Sequence, residues 1–123
     1  MNVSFTQILN TQEKKLAFFQ NIVLVAIADR YVDKLESDFL VSVGDQLQLT
    51  EKDTLHIADN LKNLKFIIPQ DGLQKSLELE MLVKMVLQDG IVEKREYDLC
   101  LEYTRQIGFT KEKLDELIAQ SKN

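Results

Sequence analysis

A chain of 123 residues has the length of one domain, and a chain of that size buries roughly two-thirds of its unfolded surface without needing staples. Its net charge of -5 and pI near 4.9 exclude a nucleic-acid backbone as the expected partner, because phosphate binding needs clustered Lys and Arg. The single cysteine excludes an intrachain disulfide and fits a reducing compartment, the cytoplasm.

One Pro and four Gly leave long uninterrupted segments, which favours helices over many short strands. The opening residues 1–15 lack the basic and then apolar pattern of a secretory signal. Residues 3–9 are expected to form a short helix with Phe5, Ile8 and Leu9 inward. Thr11 is a suitable N-cap for a helix over residues 12–28, whose apolar residues cover most of its circumference. A helix apolar nearly all round is buried on nearly all sides, so this one is expected at the centre. Its apolar stretch, residues 17–28, includes Gln20 and Asn21 and falls short of the ~20 residues a bilayer crossing needs.

Residues 29–32 read as a turn. Asp33 then reads as an N-cap with Glu36 as its N3 partner, and Leu35, Phe39, Leu40, Val43 and Leu47 follow at close to a 3.6-residue period. Thr50 caps a helix from residue 51 to about 61, with Glu51 and Asp53 in the first turn, where the helix dipole favours them. Residues 62–70 form a hinge in which Pro69 stops any helix, and Phe66, Ile67 and Ile68 are expected to tuck into a groove. Asp71 caps a second central helix over residues 72–88, with Leu77, Met81, Leu82, Met85 and Val86 inward, and Gly90 suits the left-handed position beyond its end. A helix over residues 93–106 ends at Gly108, and Thr110 caps a last one over residues 111–120 with Leu114, Leu117 and Ile118 inward.

The second half of this itinerary repeats the first. A shift of 60 positions, without a gap, lays Asp29 on Asp89, Val32 on Val92, Lys34 on Lys94, Glu36 on Glu96, Asp38 on Asp98, Gln46 on Gln106 and Thr50 on Thr110. Internal repeats at a fixed period mark duplicated units. The expectation is a single all-α domain with no strands, spanning residues 1–123. Two copies of a three-helix unit, residues 12–61 and 72–121, would pack about a pseudo-twofold near residues 16–28 and 77–88.

Asp89, Gly90, Val92 and Glu96 have the spacing of the second half of a calcium-binding EF-hand loop. That loop also needs oxygen ligands at its first and third positions. Met85 and Leu87 stand there, and Val25 and Ile27 in the other copy, which argues against an EF-hand. An apolar helix ending in Asp-Gly, Glu seven residues after the Asp, a second helix and an Ile-Gly-Phe-Thr corner at residues 107–110 together resemble the tellurite-resistance TerB-like family.

The resemblance covers residues 12–121 and implies a small all-helical, non-enzymatic binding or stress-response module, linked to complexes at the inner face of the membrane. It also implies a divalent cation (Ca²⁺, Mg²⁺ or Mn²⁺) held by acidic loop residues. By position these are Asp89 and Glu96, and more weakly Asp29 and Glu36, with Asp33 and Glu93 beside them. Arg30 departs from the pattern, since it stands where Gly is expected. The competing reading is structural: the Asp residues end helices, Glu36 and Glu96 close capping boxes, and the domain is a purely structural or protein-interaction unit without a ligand.

Other residues offer less chemistry. His56 lies on a polar helix side with Asp53 and Asn60, and one His cannot make a zinc site alone. Cys100 sits between Leu99 and Leu101 with no His near in sequence to activate it, so it reads as a core packer. Met81 and Met85 are core by spacing, and Lys111, Glu112 and Lys113 form a solvated first turn. Tyr31, Tyr97 and Tyr103 are expected to bring their hydroxyls to the surface.

Overall fold

Among the described residues, four helix starts are fixed by side chains that satisfy orphan backbone N–H groups. Oγ1 of Thr11 accepts from the N–H of Lys14 at 3.1 Å, Thr110 does the same for Lys113 at 3.2 Å, and Asp71 accepts from Leu73 at 3.1 Å. Thr50 forms a reciprocal box: it accepts from the N–H of Asp53 at 3.2 Å, while Asp53 accepts from that of Thr50 at 2.9 Å. Each such cap is worth about 1 kcal/mol.

A computed structural model describes residues 5–28, 34–88, 90 and 92–122. Their order is α1 (Phe5–Ile8), α2 (Gln12–Ala26), α3 (Lys34–Gln46), α4 (Glu51–Asp59), a short 3-10 helix (Leu61–Asn63), α5 (Gly72–Val86), α6 (Lys94–Gln106) and α7 (Lys111–Ser121). The fold is all-helical, and no strand occurs among the described residues. None of these helices is long and apolar enough to cross a membrane. The expected turn at 29–32, with Tyr31, lies outside the described residues.

The middle of the fold is α2 packed on α5. α2 also contacts α3, α4 and α6, while α5 contacts α3, α6 and α7. Phe18, Ile22 and Val25 from α2 meet Leu79, Leu82 and Met85 from α5, all fully buried, and Leu47, Tyr103 and Leu114 close the core around them. Each large apolar side chain removed from water contributes about 1.5–3 kcal/mol.

The helices start 60 residues apart: α2 and α5 at 12 and 72, α3 and α6 at 34 and 94, α4 and α7 at 51 and 111. The ends of the first two pairs match too, while α4 stops at Asp59 and α7 runs on to Ser121. The N–H of Ile27 donates to the carbonyl of Val23, and that of Leu87 to Val83. After α3, Gln48 donates to Asp45 and Leu49 to Gly44; after α6, Gly108 donates to Arg105 and Phe109 to Thr104. This is the Schellman closure, which needs a left-handed residue just past the cap. Gly108 supplies it at φ 87°, and Gln48 occupies the same position at φ 60°.

Several details differ from the sequence reading. α2 and α5 end at Ala26 and Val86, two residues early, so Gly90 is not the residue next to the helix cap. It does have positive φ, 81°, and its N–H closes a turn on the carbonyl of Leu87 at 2.9 Å. Leu35, expected inward, is 50% exposed, because α3 turns Glu36, Val43 and Gly44 toward the core. In the hinge, Phe66 does tuck in, its ring 5.1 Å from that of Tyr103, but Ile67 is 45% exposed. Tyr103 lies wholly inside rather than reaching the surface.

Candidate functional site: a buried carboxyl behind an open cleft

Glu78 lies on the inward side of α5 and is 1% exposed. An isolated carboxylate in such a place is expensive, and it persists only when its oxygens are bonded. Oε1 accepts from Nδ2 of Asn21 at 2.8 Å and from the hydroxyl of Tyr103 at 3.0 Å, and Oε2 accepts from Nε2 of Gln74 at 2.7 Å. Burial pushes the carboxyl above its usual range, and the three donors pull against that shift. Tyr103 is driven far above the ordinary phenol range by burial and by the adjacent Glu78.

Asn21 extends this cluster to the hinge. Its Nδ2 donates to the carbonyl of Ile67 at 2.9 Å, and its Oδ1 accepts from the N–H of the same residue at 2.8 Å. The amide therefore pairs with Ile67 as a neighbouring strand would. One turn-side neighbour, Gln20, donates from Nε2 to the carbonyl of Lys65 at 2.8 Å. These bonds lay the segment 64–69 along α2.

In front of the cluster opens a cleft of about 720 Å³ between α2, α4, the hinge and the start of α5. Leu16, Ala17, Ile57, Ile67 and Pro69 make its apolar surface. Gln74 belongs to both features, lining the cleft while it donates to Glu78. Glu13, Asp53 and Asp71 bring carboxylates to the lining, and Lys14 and His56 bring side-chain nitrogens. The carboxyl of Asp53 is held below its usual range by hydrogen bonds from Thr50 and Gln12. His56 is exposed, as its helix side implied, with Nδ1 3.4 Å from Nδ2 of Asn60. Volume, apolar lining and a few polar groups are the ordinary make-up of a ligand site.

No known protein family, curated protein or solved structure matches the chain.

Of the acidic residues singled out in the sequence, Asp29, Asp33 and Asp89 lie outside the described residues. Glu36 and Glu96 are 5% and 2% exposed, each in the first turn of its helix. Glu93 is exposed and stands at the N-cap of α6, where its side chain makes no capping bond. Among the described residues, no three His, Cys, Asp or Glu side chains gather as a metal site would require. Cys100 is buried as expected, and burial together with the nearby Glu96 pushes its thiol up to about 12, which keeps it protonated and unreactive at neutral pH. Tyr97 is half-buried; its hydroxyl donates to Asp115 at 2.6 Å, and Nζ of Lys111 donates to the other oxygen of that carboxylate at 2.7 Å.

The sequence did carry a signal for the Glu78 cluster. Glu78 stands three and four positions before Met81 and Leu82, on the apolar stripe of α5, and Asn21 interrupts the most apolar stretch of the chain. A charged and an amide residue on two helices both expected to be central are candidates to pair.

Proposed function

We propose that this chain is a non-enzymatic helical binding module that takes its ligand in the cleft between α2, α4 and α5. The observation that carries this reading is the cleft itself: concave, mostly apolar, and backed by a hydrogen-bonded cluster that sets the positions of Gln74 and the hinge before any ligand arrives. Preorganisation of this kind lowers the ordering cost of binding. A ¹H–¹⁵N NMR titration with a small-molecule fragment mixture tests it. Shifts should concentrate at Leu16, Ala17, Ile57 and Gln74; shifts scattered over the surface, or none, would overturn the reading.

The layout supports a TerB-like arrangement, a three-helix unit duplicated about a pseudo-twofold. Helix starts 60 residues apart, and matching end closures in the α2/α5 and α3/α6 pairs, are what duplicated units would have. A second reading follows from the burial of Glu36 and Glu96 at equivalent positions: the acidic turns, with Asp29, Asp33, Asp89 and Glu93, take a divalent cation that tunes a stress-response partner contact in the cytoplasm. Binding only to the folded state stabilises by about 2.7 kcal/mol at a hundredfold excess over Kd. Melting in millimolar Ca²⁺, Mg²⁺ or Mn²⁺ should then rise by several degrees, and Glu96→Gln should abolish the rise. An unchanged melting temperature with every ion leaves the turns as helix caps alone.

A further inference from the structure

The charge around the cleft is lopsided. Three carboxylates, from Glu13, Asp53 and Asp71, meet one ammonium, that of Lys14. Nζ of Lys14 donates to Oδ1 of Asn10 at 3.3 Å, a residue that does not line the cleft. Asp53 is fixed in its ionised form by the Thr50 box. Asp71 accepts from the N–H of Leu73 through Oδ1, which leaves its second oxygen for the cleft that it lines. Between these carboxylates the surface is apolar, from Leu16, Ala17, Ile57, Ile67 and Pro69.

We infer that this cleft binds a small amphiphilic cation, an apolar body carrying a protonated amine, with the body on the Ala17–Ile57–Pro69 surface and the amine at the acidic lining to which Glu13, Asp53 and Asp71 contribute. The inference rests on the cleft being the binding site of the proposed module, and it adds the ligand's chemical class. A volume of about 720 Å³ lies within the range of about 300–1,000 Å³ typical for small-molecule sites. Anions, including phosphate and carboxylate ligands, meet net repulsion from the same rim and from a chain of net charge -5. A neutral apolar molecule gains the apolar contacts and nothing from the rim. The amine adds attraction to two or three exposed carboxylates, each weak in water and together worth about three- to tenfold in affinity at low salt.

The test uses three fluorescent probes that share one naphthalene body: dansylcadaverine, its neutral N-acetyl form and the anionic dansyl-aminohexanoate. Each is titrated into the full chain at pH 7.5 in low salt. The amine should bind about threefold or more tighter than the neutral form, with the anion weakest. The gap should close in 0.5 M NaCl and narrow in Glu13→Gln. Ala17→Leu, which fills the cleft with a good helix former, should weaken all three; circular dichroism checks its fold, and NMR shifts from dansylcadaverine on the natural sequence locate the probe independently. Equal affinity for all three probes, lost in Ala17→Leu, would overturn the cation preference while leaving the cleft as a binding site. Absence of binding, or shifts that avoid Ala17, Ile57 and Gln74, would overturn both.

Discussion

Replacing Asn21 with alanine should loosen the hinge and destabilise the whole domain, by an amount the geometry sets. Three hydrogen bonds vanish: two to the backbone of Ile67, at 2.9 and 2.8 Å, and one to the buried Glu78 carboxyl at 2.8 Å. A neutral bond is worth about 1 kcal/mol net, and one to a charged group about 1.5–3 kcal/mol, so the gross loss is about 3.5–5 kcal/mol. Two effects reduce it. Ile67 is 45% exposed, so water can reach part of its freed backbone, and alanine gains about 0.5 kcal/mol of helix propensity over asparagine. The expected net loss is about 2–4 kcal/mol, a large share of the 5–15 kcal/mol that holds a typical domain together. Urea unfolding followed by circular dichroism measures it, and native-state hydrogen exchange at the Ile67 amide reads the local bond directly. A loss below about 0.5 kcal/mol, with Ile67 still protected, would refute the claim that Asn21 holds the hinge. A double-mutant cycle with Tyr103→Phe adds a further check. Both residues donate to the same oxygen of Glu78, so their effects should not add.

Glu78 should make the domain more stable in mild acid than at neutral pH. Its folded-state value lies above the usual 4.5, so its contribution is fully present below about pH 4.5 and is lost as pH rises through the elevated value. The stability difference between the natural sequence and Glu78→Gln should therefore shift with pH in favour of the glutamine variant as pH rises; a difference constant from pH 4 to 8 would show that Glu78 titrates alike folded and unfolded. The opposite sign applies to Asp53 and Asp115, whose lowered values give stability that is lost as pH falls below the usual 3.8. Gly90→Ala and Gly108→Ala should each cost about 1 kcal/mol in thermal or urea unfolding, since both residues have positive φ. Nothing lies within 4 Å of an added Cβ at either site, so the penalty is that of the backbone alone; a neutral substitution would contradict the left-handed assignment.

Much of the fold could be read from residue types because local chemistry dictates it. Thr11, Thr50, Asp71 and Thr110 cap the helices expected of them, and the density of apolar residues in α2 and α5 places these two at the centre. Helix ends were less legible: α2 and α5 stop at Ala26 and Val86 although the apolar pattern runs on to 28 and 88. Leu35 is exposed, since periodicity gives the width of a helix face and not which part of it a neighbour covers, and Ile67 is exposed in a hinge with no helical period to read. The Glu78 cluster was hardest, since its bonds join residues 57 and 25 positions apart, and no local pattern announces which buried polar groups will meet. The cleft has the same origin: α2, α4 and the hinge bring Ala17, Ile57 and Pro69 to one surface only through tertiary packing.

The buried polar cluster also distinguishes the two halves. Sixty positions from Glu78, Asn21 and Tyr103 stand Phe18, Met81 and Val43, all buried and all apolar. A chain whose halves look alike faces a hazard during synthesis at high concentration, when the first half of one molecule can pair with the first half of another instead of with its own second half. In that exchange α2 would meet a second α2, and Asn21 would face a surface with no carboxyl to receive its amide. Such a pairing would strand a polar group in an apolar contact, at a cost of about 1–3 kcal/mol on each side, whereas the correct partner satisfies it. The off-centre carboxyl thus works like a keyed plug, favouring α2 packed on α5 over α2 packed on a second α2.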